Sequence, residues 1–328
     1  MLRRLSTLQD QGMFVPVEAR IVRSLQIWVV TRDFRPLWMR ISFFIIRREI
    51  MKRNLRKVLS IGILAGTLLL SACGGGKAAA DDNVFRVGME CGYAPYNWTQ
   101  LDDSNGAVPI EGSKEFANGY DVLMAKKIAE GLGKELRIVK TEWAGLSPAV
   151  QSGVIDGILA GMSPTAERKE SIDFSEPYWK SDLIIVVKKD SPYVEAKTLN
   201  DFSGATITGQ LNTVHYDVVD QIPGVNKSEA MKDFNAERVA LKSGIIDGYV
   251  AEIPEGLSVV EAIPEFTYVE FEEGQGFEVS DEDIAVSVGL KKGSDLTEKI
   301  NEILKGISAD ERQEMMKEAL STQPITEE

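Results

Sequence analysis

The chain has 328 residues, with 37 Lys and Arg against 50 Asp and Glu, and a formal net charge of −13. Residues 1–72 carry 13 basic and 4 acidic side chains, whereas the remainder carries 24 and 46. So acidic a body argues against binding to nucleic acid or to an anionic membrane surface. It is compatible with a cationic ligand, or simply with a solvated acidic surface. The length is sufficient for two lobes with separate cores.

The N-terminal region is predicted to be removed from the mature protein. Residues 1–50 precede a second start at Met51 and are interpreted as an upstream extension. Residues 51–72 have the pattern of a signal peptide, with basic residues first and then an apolar core from Val58 to Leu70. That core is too short to span a bilayer as a permanent helix.

Leu70-Ser71-Ala72-Cys73 resembles the bacterial lipoprotein signal box. The resemblance implies that Cys73 is lipidated and becomes the mature N-terminus, because two acyl chains form a stable anchor. Residues 73–83 then form a flexible tether, and the protein lies on the outer side of the cell membrane. The alternative is a buried core cysteine. The other cysteine is Cys91, and two cysteines alone give no metal-site spacing.

Strands and helices alternate along the first part of the mature chain, which is typical of an α/β sheet. Residues 102–115 are predicted to form a loop or hairpin. Pro148 is placed in the first turn of a short helix that ends at Gly153. Thr165 is predicted to cap another helix. The remaining predictions are a strand over 84–89, a helix over 120–132 ended by Gly133, and strands over 136–139 and 155–160.

A ten-residue segment occurs twice in the chain. QSGVIDGILA at 151–160 returns as KSGIIDGYVA at 242–251. Each copy is predicted to be a helix end, a glycine turn and a buried strand that runs into a loop. Ligands bind beyond the carboxyl ends of strands in open α/β sheets, and the two copies therefore predict two lobes that face one cleft.

The apolar run over 183–187 is placed at the first crossing between the lobes. Lobe one is predicted to comprise 84–182 and 284–328, and lobe two 183–283. Lobe two is expected to hold strands over 206–208 and 245–251, a helix from Thr213 and a helix ending near Ser243. A return strand over 284–290 and helices over 296–304 and 310–320 complete lobe one.

The body resembles the type 3 extracellular solute-binding proteins that deliver amino acids to ABC importers. The resemblance covers residues 84–320 and is carried by four motifs: GYDV at 119–122, WAGLSPA at 143–149, GMSPTAER at 161–168 and IDFSEPY at 172–178. It implies a two-lobed periplasmic-binding-protein-like fold of type II. In that fold each lobe is a sheet flanked by helices, and two hinge crossings join the lobes.

The resemblance places an amino-acid site between the lobes. Arg168 matches the arginine that holds the α-carboxylate of the ligand, for which a guanidinium has the right planar geometry. Gly161 and Ser163 match positions whose backbone carbonyl and hydroxyl meet the ligand, and Thr165 orients the start of the helix that carries Arg168. The competing interpretation is that Arg168 is a surface residue paired with a neighbouring glutamate.

Lobe two is expected to hold the α-ammonium group. The family usually has Asp at the position of Glu252, so the longer side chain is expected to contact the ligand directly or through a water. Thr213 and Gln210 are further candidates. Asn212 stands where relatives often have glycine, which leaves the backbone geometry open. His215 is the only histidine, and a lone histidine is more often a surface residue.

Tyr93 and Trp143 are expected to line the side-chain pocket, with Glu90 beyond them to select a positively charged tip. Tyr96 and Trp98 are assigned to the core. The predicted ligand is therefore a free amino acid, with arginine, lysine or histidine favoured. The alternative is that backbone or solvent satisfies Glu90 and that the ligand is neutral.

The predicted function is that of a lipid-anchored, monomeric substrate-binding component of an ABC transporter, which closes on one amino acid and docks on a membrane permease. No catalytic residues, cofactor, metal site or nucleic-acid partner are expected. The alternatives are an enzyme on the same fold, such as a dehydratase or cell-wall lyase, and an amino-acid sensor or adhesin.

Overall fold

The computed structural model describes residues 83–324. The upstream extension, the signal peptide, the lipidation of Cys73 and nearly all of the tether therefore concern residues outside the described part, and these predictions stay as they are.

Short strands and helices alternate through the described residues. The strands are β1 (Val84–Met89), β2 (Gly92–Tyr93), β3 (Asn97–Gln100), β4 (Val108–Pro109), β5 (Phe116–Asn118), β6 (Glu135–Lys140), β7 (Gly157–Ile158), β8 (Ile172–Phe174), β9 (Trp179–Lys180), β10 (Leu183–Lys188), β11 (Thr206–Thr208), β12 (Asn226–Lys227), β13 (Gly248–Glu252), β14 (Phe266–Val269), β15 (Ala285–Val286) and β16 (Gly289–Lys291). The α-helices are α1 (Tyr120–Leu132), α2 (Trp143–Ser152), α3 (Ala166–Ser171), α4 (Val214–Asp217), α5 (Phe234–Ser243), α6 (Ile253–Ala262), α7 (Leu296–Lys305) and α8 (Ala309–Thr322).

Two five-stranded sheets share one topology. The first has the order β6-β1-β7-β16-β8, and the second has the order β12-β11-β13-β10-β14. In each sheet the first three strands are parallel, and the fourth runs antiparallel to its neighbours. The fourth strand of each sheet, β16 or β10, is the first strand of that sheet to form after the chain has left the other sheet. The α/β class and the two sheet-based lobes agree with the expected fold.

The repeated segments occupy equivalent places in the two sheets. Gly153 and Gly244 end helices α2 and α5 with left-handed φ angles of 78° and 73°. Asp156 then accepts a hydrogen bond from the backbone N–H of Arg86 at 2.8 Å, and Asp247 accepts one from Thr206 at the same distance. Each aspartate thereby ties the repeat to the neighbouring parallel strand.

Each sheet packs its apolar side chains into a core. Phe85, Val87, Ile138 and Leu290 are fully buried in a cluster built largely around the first sheet. Ile185, Ile207 and Val250 belong to a second cluster on the other sheet. Because side chains alternate across a strand, the fully buried run of β10 has helices or loops on both of its faces.

Several predicted elements differ from those observed. Helix α2 begins at Trp143, so Pro148 lies inside the helix instead of in its first turn. The second repeat strand spans 248–252 and not 245–251, because Ile245 follows the left-handed glycine and is 66% exposed. The chain then enters helix α6 directly, since proline is compatible with the first helical turn.

The predicted return strand over 284–290 is divided into two pieces. β15 pairs with β9 in a separate two-stranded ribbon, and β16 pairs with β7 and β8 in the first sheet. The region over 102–115, predicted as a loop or hairpin, contributes β4 to a small sheet with the order β2-β3-β5-β4.

Candidate functional site

Segments that follow the carboxyl ends of parallel strands in both sheets meet at one cavity. Seven of the nine residues predicted for the ligand site line this cavity. The other two, Glu90 and Glu252, do not line it but accept hydrogen bonds from lining residues. The lining residues are Tyr93, Trp143, Ala160, Gly161, Ser163, Arg168, Gln210, Thr213, Val214 and His215.

Arg168 lies on helix α3, which Thr165 caps by accepting a hydrogen bond from the backbone N–H of Arg168. Its Nη1 donates to the carbonyl oxygen of Ser163 at 2.8 Å, and its Nη2 donates to that of Asn212 at 2.9 Å. The guanidinium carbon lies 5.0 Å from the centre of the Trp143 ring. Burial lowers the pKa of Arg168 to about 10, so the group is charged at neutral pH.

Asn212 adopts the backbone conformation that glycine would favour. Its φ of 60° lies in the left-handed region, which asparagine enters at lower cost than most residues. In this conformation its carbonyl oxygen accepts hydrogen bonds from Arg168 and from Nε1 of Trp143 at 3.4 Å. The departure from glycine therefore leaves a backbone acceptor in contact with two residues of the other lobe.

Gly161 permits a close approach of Tyr93. A Cβ atom at position 161 would lie 2.7 Å from Cε1 of Tyr93, and the φ of Gly161 is 62°. Any larger residue would therefore displace the ring and strain the backbone. What approaches Gly161 so closely is the Tyr93 ring, which itself lines the cavity.

A buried carboxylate beneath the site supports the Gly161 loop. Asp121 accepts hydrogen bonds from the Tyr178 hydroxyl at 2.6 Å and from Nδ2 of Asn97 at 2.9 Å. Burial raises the pKa of Asp121 to about 7, while hydrogen bonds from Tyr178, Asn97 and the backbone of Gly161 lower it. Helix α1 thus fixes one wall of the cavity through its first turn.

Glu252 is the last residue of β13 and is almost completely buried. One carboxylate oxygen accepts a hydrogen bond from the Tyr93 hydroxyl, and the other lies 2.9 Å from Nε2 of His215. Burial alone would raise the pKa of Glu252, but His215 and the Tyr93 hydroxyl lower it below its ordinary value. Glu252 is therefore a buried anion.

Tyr93 is the neutral donor to this anion, because burial raises its pKa well above the ordinary value and the Glu252 carboxylate raises it further. Tyr93 belongs to the region of the first sheet, and Glu252 to the second sheet. The contact therefore connects the two lobes at the cavity.

His215 was expected at the surface, and this expectation is wrong. The residue is 5% exposed, lines the cavity and packs edge-on against Phe234 with 5.6 Å between ring centres. The general preference of single histidines for the surface gave no information about this position, because the contact with Glu252 depends on tertiary structure.

Glu90 lies beside the cavity and not on it. Its two carboxylate oxygens each lie 3.3 Å from Nε2 of Gln210, and Gln210 lines the cavity. Glu90 faces an adjoining cavity whose walls also include Glu142 and Asp233. Burial is the main cause that raises the pKa of Glu90 to about 7, and these two carboxylates raise it further.

The remaining candidates are placed by local hydrogen bonds. Thr213 precedes α4, and its hydroxyl donates to the carbonyl of Gln210 at 2.7 Å, which closes the turn that carries both residues. Ser163 is 5% exposed. Tyr96 and Trp98 are buried in the first core cluster, as predicted.

Sequence reasoning missed the roles of the Asn212 carbonyl and of His215. The residue type does not reveal what a backbone carbonyl contacts, although an asparagine at a position where relatives often have glycine indicates a left-handed backbone.

Within residues 83–324, no cluster of three His, Cys, Asp or Glu side chains is arranged to hold a metal ion. The helices in this part of the chain are too short or too polar to cross a bilayer.

Comparison with known proteins assigns the described region as a whole. The model for the bacterial extracellular solute-binding proteins, family 3, matches residues 85–321. A probable histidine-binding protein of Campylobacter jejuni is 32% identical over 233 residues, which are 68% of this chain and 85% of the relative. The arginine-binding extracellular protein ArtP of Bacillus subtilis is 26% identical, over 76% of this chain and 92% of its own length.

A solved structure has the same architecture. It is a crystal structure of an amino-acid ABC transporter substrate-binding protein from Streptococcus pneumoniae bound to L-arginine. The TM-score is 0.64 at 28% identity, and the alignment covers 74% of this chain and 96% of that one.

Proposed function

Because the chain belongs to the bacterial extracellular solute-binding proteins of family 3, we propose that it binds one free amino acid in the cavity between its two sheets. The ligand is one with a basic side chain, and arginine, lysine and histidine are the candidates. The chain then delivers this ligand to an ABC permease in the membrane.

The observation that carries the proposal is a pair of opposite charges at one cavity. Arg168 is a buried cation on the side of the first sheet, and Glu252 is a buried anion on the side of the second. A zwitterion presents a carboxylate and an ammonium to such a pair. When the ligand binds, its carboxylate replaces the carbonyl oxygens of Ser163 and Asn212 as the hydrogen-bond acceptor of Arg168. The guanidinium can then donate two parallel hydrogen bonds to the carboxylate.

The residues around the cavity also select the side chain of the ligand. Tyr93 and Trp143 flank the cavity, and the Glu90 carboxylate lies behind the amide of Gln210. A cationic tip that displaces this amide gains a charged partner, whereas a neutral tip leaves a partly buried carboxylate without one. Relatives named as histidine-binding and arginine-binding proteins support the same ligand class.

Binding is coupled to closure of the lobes. Three contacts cross the cavity between the lobes. Arg168 and Trp143 contact Asn212, and Tyr93 contacts Glu252. An amino acid that touches both sides stabilises the closed arrangement by its differential contacts.

Anchoring through Cys73, monomeric behaviour and docking on the permease complete the proposal. Mass spectrometry of the native N-terminus, with and without a Cys73→Ala substitution, tests the anchor.

The test of the ligand site is calorimetry with arginine, lysine, histidine, glutamine and glutamate. Arg168→Ala should reduce the affinity for the preferred ligand at least about 100-fold, since a charge-assisted pair at a buried site is lost. Arg137→Ala is the matched control, because Arg137 pairs with Glu135 and is partly exposed on β6. Undiminished affinity in a folded Arg168→Ala protein would refute the site.

A further inference from the structure

One buried carboxylate joins three of the four motifs that carry the family resemblance. Asp121 belongs to the GYDV motif, lies in the first turn of helix α1 and is fully buried. It accepts hydrogen bonds from the Tyr178 hydroxyl of the IDFSEPY motif at 2.6 Å and from the backbone N–H of Gly161 in the GMSPTAER motif. A third donor is Nδ2 of Asn97 at 2.9 Å. All three partners donate, and an ionised carboxylate satisfies each of them because it only accepts.

The Tyr178 branch reaches the two crossings between the lobes. Tyr178 directly precedes β9, and its backbone N–H donates to the carbonyl oxygen of Val286 at 2.8 Å. Strands β9 and β15 pair with each other, and they lie next to the points where the chain leaves the first sheet and returns to it. Beyond β15, the backbone N–H of Ser287 donates to the carbonyl oxygen of Met162 at 3.0 Å. The crossings are therefore fixed both to the buried carboxylate and to the loop around Met162.

The Gly161 branch reaches the group proposed to hold the ligand carboxylate. Residues 161–163 form the ligand loop, and the carbonyl oxygen of Ser163 accepts a hydrogen bond from Nη1 of Arg168 at 2.8 Å. In the proposed binding mode the ligand takes over this bond, so the ligand loop loses one of its contacts when the cavity is filled. Asp121 holds the other end of the same loop.

The Asn97 branch supports the turn that carries Tyr93. Oδ1 of Asn97 accepts a hydrogen bond from the backbone N–H of Cys91 at 2.8 Å. Cys91 has a φ of 56°, a left-handed conformation that a non-glycine residue keeps only when its surroundings support it. Two residues later, the Tyr93 hydroxyl donates to Glu252 of the second lobe. Residues on both sides of the cavity are thus connected to the same carboxylate.

We propose that Asp121 is a positioning residue that links filling of the cavity to closure of the lobes, because it holds the ligand loop, the Tyr93 turn and the lobe crossings in one arrangement. This inference rests on the proposed function, in which Arg168 receives the ligand carboxylate. The bonds of a buried polar network strengthen one another, and the loss of one partner is costly. A shift of the ligand loop at Gly161 therefore changes the geometry at Tyr178, next to the crossings.

Tyr178→Phe tests the link, because it removes only the hydroxyl that joins Asp121 to the crossings. Tyr249→Phe is the matched control, since the Tyr249 hydroxyl is also fully buried and donates at 2.9 Å to a buried carboxylate, that of Glu255, which pairs with Arg238 in the second lobe. Each variant loses one buried hydrogen bond, so the two should be destabilised alike in urea. Tyr178→Phe should bind arginine about tenfold more weakly than the unmodified protein, whereas Tyr249→Phe should bind with unchanged affinity.

Small-angle X-ray scattering at pH 8 separates this link from a merely structural role. The pH lies above the value of about 7 to which burial raises the pKa of Asp121. With saturating arginine, the unmodified protein and Tyr249→Phe should become more compact to the same extent, and Tyr178→Phe should become less compact than either. A Tyr178→Phe protein with the affinity and the compaction of Tyr249→Phe would overturn this inference alone. An unmodified protein that binds none of the basic amino acids would refute the proposed function and this inference with it.

Amide hydrogen exchange in the unmodified protein needs no substitution, so it decides the question even where a variant fails to fold. Saturating arginine should slow the exchange of the backbone N–H groups of Gly161, Tyr178 and Ser287 together, because all three donate within the network. The N–H of Thr206 donates to Asp247 in the second sheet and should slow less. Slower exchange at Gly161 with no change at Tyr178, or equal slowing at Thr206, would contradict the proposal.

Discussion

The carbonyl oxygen of Asn212 accepts a hydrogen bond from Nη2 of Arg168 at 2.9 Å, and this bond joins the two lobes at the ligand cavity. It is formed because residue 212 adopts a left-handed backbone that points its carbonyl towards the guanidinium. The stability of this turn and the position of the charged group are therefore coupled.

The first prediction concerns this turn. Asn212→Gly should be tolerated within about 0.5 kcal/mol, whereas Asn212→Ala should lower the free energy of unfolding by about 1 kcal/mol, because alanine resists a positive φ. Asn212→Ala should also weaken arginine binding. Asn105→Ala is the control, since Asn105 has a φ of 53° but lies exposed. It should affect stability in urea denaturation and leave calorimetric affinity unchanged.

The second prediction separates backbone strain from crowding at Gly161. Gly133→Ala carries only the cost of a left-handed φ, about 1–2 kcal/mol, because nothing lies within 4 Å of the added Cβ. Gly161→Ala carries the same cost and also collides with the Tyr93 ring at 2.7 Å. Gly161→Ala should therefore be the more destabilised variant and should lose arginine affinity, whereas Gly133→Ala should bind normally. If the two variants had equal stability and equal affinity for arginine, the collision with the Tyr93 ring would be contradicted.

The third prediction follows from the pKa of Glu90, which burial raises from 4.5 to about 7. The folded protein keeps this proton up to about pH 7, and the unfolded chain releases it near pH 4.5. Between these values the folded state binds more protons, so the free energy of unfolding falls as pH rises. Glu90→Gln removes this dependence.

Urea denaturation without ligand at pH 5, 6, 7 and 8 checks the prediction. Relative to the unmodified protein, Glu90→Gln should become progressively more stable up to about pH 7 and then level off. The same variant should lose selectivity for arginine over glutamine at pH 8. A stability difference that stays constant with pH would show that Glu90 titrates normally.

The fourth prediction tests the equivalence of the repeats. Asp156→Ala and Asp247→Ala each leave a backbone N–H of the neighbouring strand without its acceptor, at a cost of about 1 kcal/mol. The double variant should show the sum, because the two sites lie in different sheets. Asp156→Asn and Asp247→Asn retain an oxygen acceptor and should cost less. Urea denaturation midpoints measure all five variants, and clearly unequal single costs would contradict the energetic equivalence of the two aspartates.

The elements with strong local signals could be predicted from the sequence. The strand over 84–89, the helix over 120–132 and the strand over 206–208 have the predicted bounds, because periodicity and flanking glycines define them. Helix α6 was missed because Ile253-Pro254 has the composition of a loop. Strand β14 was missed because only pairing with β10 distinguishes it from the acidic segment that follows.

The site shows the same division. Seven of the ten residues that line the cavity were predicted from the sequence. The sequence did not reveal that the Asn212 carbonyl bonds to Arg168, that Glu90 stands behind Gln210, or that His215 contacts Glu252. These are contacts between residues at least 37 positions apart in the chain, and no local pattern records them.

The order of strands within the first sheet has a consequence for biogenesis. The second sheet is complete once residue 269 has been synthesised, whereas the first sheet waits for β16 at residues 289–291. A nascent chain that emerges from N- to C-terminus therefore exposes the unfinished edge of β7 over more than one hundred residues of elongation. The exposed edge is short, since β7 has only two residues, and so short an edge gives foreign strands little to pair with before β16 is in place.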